Sequence, residues 1–153
     1  MLSGESANGK YPVESVKMMA AIASKTENWM PSIASIDQMM EEAGSKEDAL
    51  AASAVFTAEK LGAGCLVVKG DASGDLSRLV AKYRPSMPIL ALVNSAKVAR
   101  QLSIHRGVFP TLLPYHKALP ASAAQGLLKP GDELVMVEVG PNDALDLSIV
   151  KAP

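Results

Sequence analysis

A single cysteine, Cys65, stands in 153 residues. One thiol excludes an intramolecular disulfide and any paired-cysteine zinc site, and the composition suits a reducing compartment. Neither sign of charge is in excess: 15 basic and 16 acidic residues give a net charge of −1 and are spread without long runs. That balance leaves no electrostatic footprint for nucleic acid or for an acidic membrane surface, so small molecules and proteins are the expected partners. Apolar runs such as Cys65 to Val68 fall far short of the roughly 20 residues that span a bilayer, which makes a soluble chain the expectation. No basic segment followed by an apolar one opens the sequence, so no signal peptide is visible. There is no G-x-x-x-x-G-K phosphate loop, no H-E-x-x-H zinc pattern, no internal repeat and no low-complexity tract.

What is present fits one domain with a few extra elements, enough to bury a sizeable core. Pro12 suits the first turn of a helix, where its missing N–H costs nothing. The run from it to Met30 carries Val13, Val16, Ala20 and Ala23 at helical spacing, with Met19 and Ile22 alongside. Pro31 disfavours helix at Met30 and ends the run. A polar linker over residues 32–44 follows, and a second domain is expected over 45–153. Ser45, with Asp48 three residues on, predicts a capping-box variant opening a helix through Ala51, Ala54, Val55, Ala58 and Leu61 that stops at Gly62 and Gly64.

Beyond it, apolar runs at Cys65–Val68, Ile89–Val93 and Val108–Leu113 alternate with helical stretches near Ser77–Tyr83 and Ala96–Leu102. Short buried strands separated by helices imply a parallel sheet with right-handed crossovers. Leu134–Val139 and Leu145–Val150 are separated only by a turn-rich connection, which demands antiparallel pairing. The expected fold is a three-layer α/β domain, its five-stranded sheet mostly parallel with one antiparallel strand, preceded by a long helix.

The opening stretch, Met1-Leu2-Ser3-Gly4-Glu5-Ser6-Ala7 followed by Gly9, Tyr11 and Pro12, resembles the pyruvate kinase pattern M-L-S-G-E-(S/T)-A, Gly, Y-P. In that family the motif closes the eighth strand of the catalytic (β/α)8 barrel and leads into its last helix, after which a smaller α/β domain follows. Lys82-Tyr83-Arg84-Pro85 is similar to the family's S-K-Y-R-P, Val98–Leu102 to its A-R-Q-L, Arg106–Pro110 to its R-G-V-x-P, and Gly126–Asp132 to its G-L-(V/L)-K-P-G-D. The matches are collinear over nearly the whole chain. The resemblance implies that residues 1–31 are the end of a barrel and its last helix, that 45–153 are the C-terminal α/β domain, and that the chain is a fragment of a larger cytoplasmic enzyme. An organelle stays open as a location. Between Leu113 and Gly126 the sequence departs from the family: a long helix is usual there, whereas Pro114 and Pro120 interrupt a short segment. That segment is expected either to cross as an extended loop or to mark a lost exon.

The resemblance also implies a reaction, phosphoryl transfer from phosphoenolpyruvate to ADP giving pyruvate and ATP, with magnesium and potassium. Such chemistry needs a metal held by carboxylates, a cation on the moving phosphoryl group and a proton source for the enolate. The family supplies most of these from earlier barrel strands. Ser3 and Glu5 match positions at the edge of its active site, but without the barrel they have nothing to act on. The chain alone is therefore expected to be inactive and to need no cofactor, with ADP and phosphoenolpyruvate as ligands only of the intact enzyme. Its expected partners are other pyruvate kinase subunits or further copies of itself, because the family's C-terminal domain supports subunit contacts and hosts an allosteric site.

In effector-regulated relatives a Ser- and Thr-rich loop after the domain's first strand holds a sugar phosphate. The matching loop here is Lys69-Gly70-Asp71-Ala72-Ser73-Gly74-Asp75. Ser73 and Gly74 are the candidate effector-binding residues, with backbone N–H groups at a helix start to receive the phosphate. Asp71 and Asp75 oppose it: a carboxylate about 4 Å from a phosphate repels it by roughly 1 kcal/mol in water and about 4 at an effective dielectric of 20. Capping of a helix start is the plainer role for Asp71, Ser73 and Asp75. Substituting Asp71→Ser with Asp75→Thr is expected to strengthen sugar bisphosphate binding.

Weaker candidates take structural readings. Cys65 lies in an apolar strand and is expected to pack; His105 and His116 lack metal-ligand spacing, His105 falling at the end of a helix; Arg78, Lys82 and Arg84 form a basic cluster read as a solvated face in preference to an anion site; the eight Met residues are read as core filler. A rival reading is a stand-alone ligand-sensing or assembly module derived from the same domain. A flavodoxin-like or receiver-type domain leaves the fourteen N-terminal residues unexplained.

One physical consequence is testable. Burial of a large apolar side chain stabilises by about 1.5–3 kcal/mol, so leaving Val13, Val16, Met19 and Ile22 wet forfeits about 6–12 kcal/mol, comparable to a whole domain's stability. In isolation the first long helix should fray, fold onto the α/β domain or drive self-association. Hydrogen exchange on a chain of verified mass tests this: protected helix amides in a monomer, with no contacts to the rest, would contradict it.

Overall fold

The computed structural model describes residues 3–27, 43–140 and 144–152. The chain divides into two compact units, residues 1–32 and 33–153. The first contains α1 (Ser3–Ala7) and α2 (Pro12–Glu27), with Pro12 as the first residue of its helix. Ser15 Oγ donates to the Tyr11 carbonyl at 2.8 Å, securing the first turn. The expected end of this helix, Met30 before Pro31, and most of the expected linker lie outside the described residues. No helix among the described residues is long and apolar enough to cross a membrane.

The second unit begins with α3 (Lys46–Leu61). Ser45 is its N-cap in extended backbone and its Oγ accepts from the Asp48 N–H at 3.1 Å, while Asp48 Oδ2 accepts from the Gly44 N–H at 3.4 Å. This is the predicted capping-box variant, with the reciprocal bond made one residue earlier than usual. Gly62, at φ 63°, ends the helix in left-handed backbone and returns its N–H to the Ala58 and Glu59 carbonyls. Then follow β1 (Cys65–Lys69), α4 (Asp75–Lys82), β2 (Ile89–Leu92), α5 (Ala96–Leu102), β3 (Val108–Thr111), α6 (Tyr115–Ala124), β4 (Glu133–Val139) and β5 (Leu145–Lys151).

The sheet order is β3-β2-β1-β4-β5, with β1 to β4 mutually parallel and β5 antiparallel to β4. β1 is central and its residues 65–68 are buried on both faces, as an all-parallel neighbourhood requires. One face carries Leu66, Val68, Ile89, Val135 and Val137 against α3, α4 and α5. Ala51, Ala54 and Ala58 are fully buried there, their small side chains letting α3 lie close to the strands. The other face carries Cys65, Val67, Leu90, Leu92 and Leu134 beneath Ala118 and Leu119 of α6. The three expected layers are present, unequally clothed: three helices on one side, one short helix on the other.

That short helix corrects the expectation of an extended loop over residues 114–126. Pro114 stands at the N-cap, where a missing N–H costs nothing. Pro120 lies inside the helix, so the His116 carbonyl four residues back loses its partner. Both His116 and Pro120 are exposed, which leaves that carbonyl to water, while Ala118, Leu119 and Ser122 bury the opposite side. Burial of the apolar side outweighs the proline's local cost, and the crossover between the parallel β3 and β4 is helical after all.

The basic cluster lies on an exposed face as expected, and two of its members are paired there. Lys82 Nζ lies 3.0 Å from Asp48 Oδ2 and 3.2 Å from Oδ1, and the buried Tyr83 hydroxyl donates to Oδ1 at 2.7 Å. Arg78 Nη1 meets Asp75 Oδ1 at 2.6 Å. Tyr83's hydrogen bond, followed by Lys82's, holds the Asp48 carboxyl below its ordinary value. Asp48 raises Lys82 in turn, and burial first, then Asp48, raises Tyr83. The group ties the start of α3 to the end of α4. Cys65 is buried as expected, and desolvation pushes its thiol up to about 12.

Because Asp48 binds a proton less readily folded than unfolded, its stabilisation is present above the ordinary value of 3.8 and is lost as pH falls through the folded value. Asp48→Asn should cost about 1–3 kcal/mol near neutral pH, since a charge-assisted bond from Tyr83 becomes a neutral one. The cost should shrink as pH falls below 3.8 and through the folded value, where the native carboxyl protonates as well. Urea melts at neutral pH and at a series of acidic values read both effects; a cost that never shrinks with acid would contradict the assignment.

Candidate functional site

The parallel strands place their carboxyl ends along one edge of the sheet, and the order of the crossovers reverses there between β1 and β4. Open α/β sheets present their ligand crevices at such switch points. The loop 69–75 leaves β1 at this position and enters α4.

Its course is set by close contact and by one carboxylate. Gly70 has φ 77°, and a Cβ there would run into the Val139 carbonyl at the end of β4. Only glycine lets the two strand ends meet. Asp71, 5 % exposed, turns inward: its Oδ1 accepts from the Gly74 N–H at 2.9 Å, and its Oδ2 accepts from both the Ser77 N–H and the Ser77 Oγ at 2.8 Å. Asp71 thus caps α4 across the N-cap Gly74, which has no side chain of its own to do so. Ser73 Oγ accepts from the Asp75 N–H at 3.3 Å. Donors that a phosphate would seek at this helix start are already taken by protein oxygens.

The loop borders a cleft of about 320 Å³ whose lining includes Glu47, Asp71, Ser73, Asp75, Val139 and Leu145. Three carboxylates and no cation line it. Glu47's own backbone hydrogen bond, and after it Ser45, hold its carboxyl below the ordinary value, so it stays ionised at neutral pH. Asp75 is exposed and its charge is shared with Arg78. Of the sequence candidates, Ser73 lines this cleft and Gly74 sits behind it as the N-cap of α4. Ser3 and Glu5 lie on α1 in the other unit. Glu47 was not singled out by sequence, since its helix reaches the cleft only through tertiary packing. No group of three His, Cys, Asp or Glu side chains disposed to hold a metal occurs among the described residues.

Comparison with known proteins agrees with this architecture. The family model for the pyruvate kinase alpha/beta domain matches residues 48–145. Pyruvate kinase of Lactococcus lactis is 34 % identical over 145 residues, covering 90 % of this chain and 29 % of the relative. That of Geobacillus stearothermophilus is 36 % identical over 149 residues, covering 92 % and 25 %. Among solved structures, Cryptosporidium parvum pyruvate kinase in complex with ADP superposes with a TM-score of 0.66 at 30 % identity, over 71 % of this chain and 24 % of that one. The chain thus spans well under half the length of the relatives it matches.

The loop geometry revises what substitutions there should do. Asp75→Thr removes a solvated charge and should be tolerated. Asp71→Ser strips the cap from Gly74 and Ser77 and should cost about 1–3 kcal/mol, so the double variant should lose stability whatever it gains in anion affinity. Thermal melts and calorimetric titration with a sugar bisphosphate read both quantities. Micromolar or tighter binding by the unmodified chain would overturn the repulsion argument.

Proposed function

Because this chain belongs to the pyruvate kinase family and has the fold of its C-terminal α/β domain, we propose that it serves as an assembly and regulatory portion of a pyruvate kinase and does not turn over substrate by itself. The observation that carries this reading is the family match over residues 48–145, which includes most of the lining of the crevice at the strand switch point. The parent reaction is phosphoryl transfer from phosphoenolpyruvate to ADP, giving pyruvate and ATP. Magnesium and potassium belong to that intact enzyme, whose metal carboxylates and lysine come from barrel strands other than the one Ser3 and Glu5 resemble. Ser3 and Glu5 would contribute only at the rim of the completed site, in the cytoplasm or an organelle.

The carboxylate-lined cleft supports a regulatory role with an altered preference. A sugar bisphosphate finds no cation in it, and Asp71 already occupies the helix-start donors. Partners of this portion are other pyruvate kinase subunits or copies of itself.

A coupled assay of phosphoenolpyruvate and ADP turnover on the purified chain, run beside its mass in solution, tests the proposal. No turnover, with a mass above that of the monomer or capture by an intact pyruvate kinase, is the expected result. Turnover that survives purification, or a strict monomer that no pyruvate kinase subunit captures, would overturn it.

A further inference from the structure

The loop over residues 8–11, between Ala7 at the end of α1 and Pro12 at the start of α2, sets Asn8 directly before Gly9. Both residues are exposed, and neither lies in a helix. The Asn8 backbone N–H donates to the Gly4 carbonyl at 3.0 Å, which holds the residue against the end of α1. Among the described residues, neither the Asn8 side-chain amide nor the Gly9 N–H makes a hydrogen bond. Gly9 is glycine for a steric reason, since a Cβ there would run into the Glu5 carbonyl. The close return of the chain past α1 thus keeps, after Asn8, the one residue type that leaves its own backbone nitrogen unshielded.

A backbone nitrogen that is unshielded and unbonded, next to an exposed asparagine, is a nucleophile beside an electrophile. Asparagine is among the thermolabile residues, and here both reacting groups are free. The other three asparagines, Asn28, Asn94 and Asn142, precede Trp29, Ser95 and Asp143, whose side chains hinder the same approach. Ser95 is also fixed as the N-cap of α5, its Oγ accepting from the Lys97 N–H at 3.2 Å.

We propose that Asn8 is a site of spontaneous deamidation. The Gly9 nitrogen loses its proton to hydroxide and attacks Asn8 Cγ; the new N–Cγ bond closes a succinimide ring, and Nδ2 leaves with a proton as ammonia. Water then opens the ring. Cleavage between the nitrogen and Cγ gives aspartate, whereas cleavage between the nitrogen and the backbone carbonyl carbon gives isoaspartate, with the chain running through Cβ and Cγ. One water is consumed, one ammonia is released, and one negative charge is gained on a chain whose formal net charge is −1. The new carboxylate stands at the C-terminal end of α1, where the helix dipole opposes an anion. An isoaspartyl link also lengthens the backbone by one carbon just where Gly9 passes the Glu5 carbonyl. The converted chain therefore holds α1, with Ser3 and Glu5, less firmly, and the extent of conversion records the age of the molecule. The reaction needs only water and this loop, so it stands apart from the assembly role proposed above.

Incubation of the purified full chain at mildly alkaline pH and physiological temperature, with aliquots digested and analysed by mass spectrometry, tests the proposal. The peptide carrying Asn8 should gain the mass of an amide-to-acid change and split into separately eluting aspartyl and isoaspartyl forms, before the peptide carrying Asn94 changes. The rate should rise with hydroxide concentration. Gly9→Ala should slow the conversion about tenfold or more, equivalent to about 1.4 kcal/mol on the barrier, and Asn8→Gln should abolish it. Because Gly9→Ala also disturbs the turn, the comparison of Asn8 with Asn94 within one unmodified folded chain decides the matter without any variant. No conversion at Asn8, conversion no faster than at Asn94, or a product without isoaspartate would each overturn the assignment.

Discussion

The central strand β1 bonds to parallel neighbours on both sides, β2 and β4, and most of the second unit follows from that. Parallel strands cannot be joined by tight turns, so every connection between them must cross a face of the sheet, and both faces must be covered. β1 sits where the order of crossovers reverses, so its outgoing loop has strand ends to both sides. Gly70 meets this constraint by letting the backbone turn beside the Val139 carbonyl, and Asp71 meets it by supplying the cap that Gly74 cannot. The carboxylate-lined cleft lies beside this junction.

Polar side chains near the helix ends serve largely to fasten one helix to the next. Asp48 joins the start of α3 to Lys82 and Tyr83 at the end of α4. At the other end of α3, Glu59 accepts from the Ser86 N–H at 2.6 Å and the Ser86 Oγ at 2.9 Å, fixing the loop that enters β2. The alanine-rich side of α3 lies on the sheet with both ends tied, and this places Glu47 at the cleft. The acidic character of that cleft is thus a by-product of helix placement as well as of the loop beside it.

The two faces of the sheet are clothed differently. Three helices cover one face almost to its edge, and what remains is lined by the capping residues of α3 and α4, which are acidic because helix starts favour acids. One ten-residue helix covers the other face and leaves the Lys69–Glu138 ion pair open to water.

Much of this was legible in the sequence. Alternating apolar runs and helical spacing marked the five strands and four of the helices of the two units, and the Ser45–Asp48 cap was read from spacing alone, because each is governed by neighbours a few residues away. Collinear motifs carried the family. Legibility ended where distant residues decide. Pro114 and Pro120 read as interruptions, yet α6 forms because Ala118 and Leu119 find Leu90 and Leu134 to pack on. Asp71 read as a cap of a helix start and is one, but that it is buried and reaches the N–H groups of both Gly74 and Ser77 depends on how the loop packs. Lys82 read as part of a solvated cluster and stays exposed, but its partner Asp48, 34 residues earlier, was not legible. Local chemistry alone determined the elements, their order and the kinship of this chain. Only the tertiary structure decided which charges are spent inside the fold and which still face a cavity, because that depends on partners that sequence distance does not reveal.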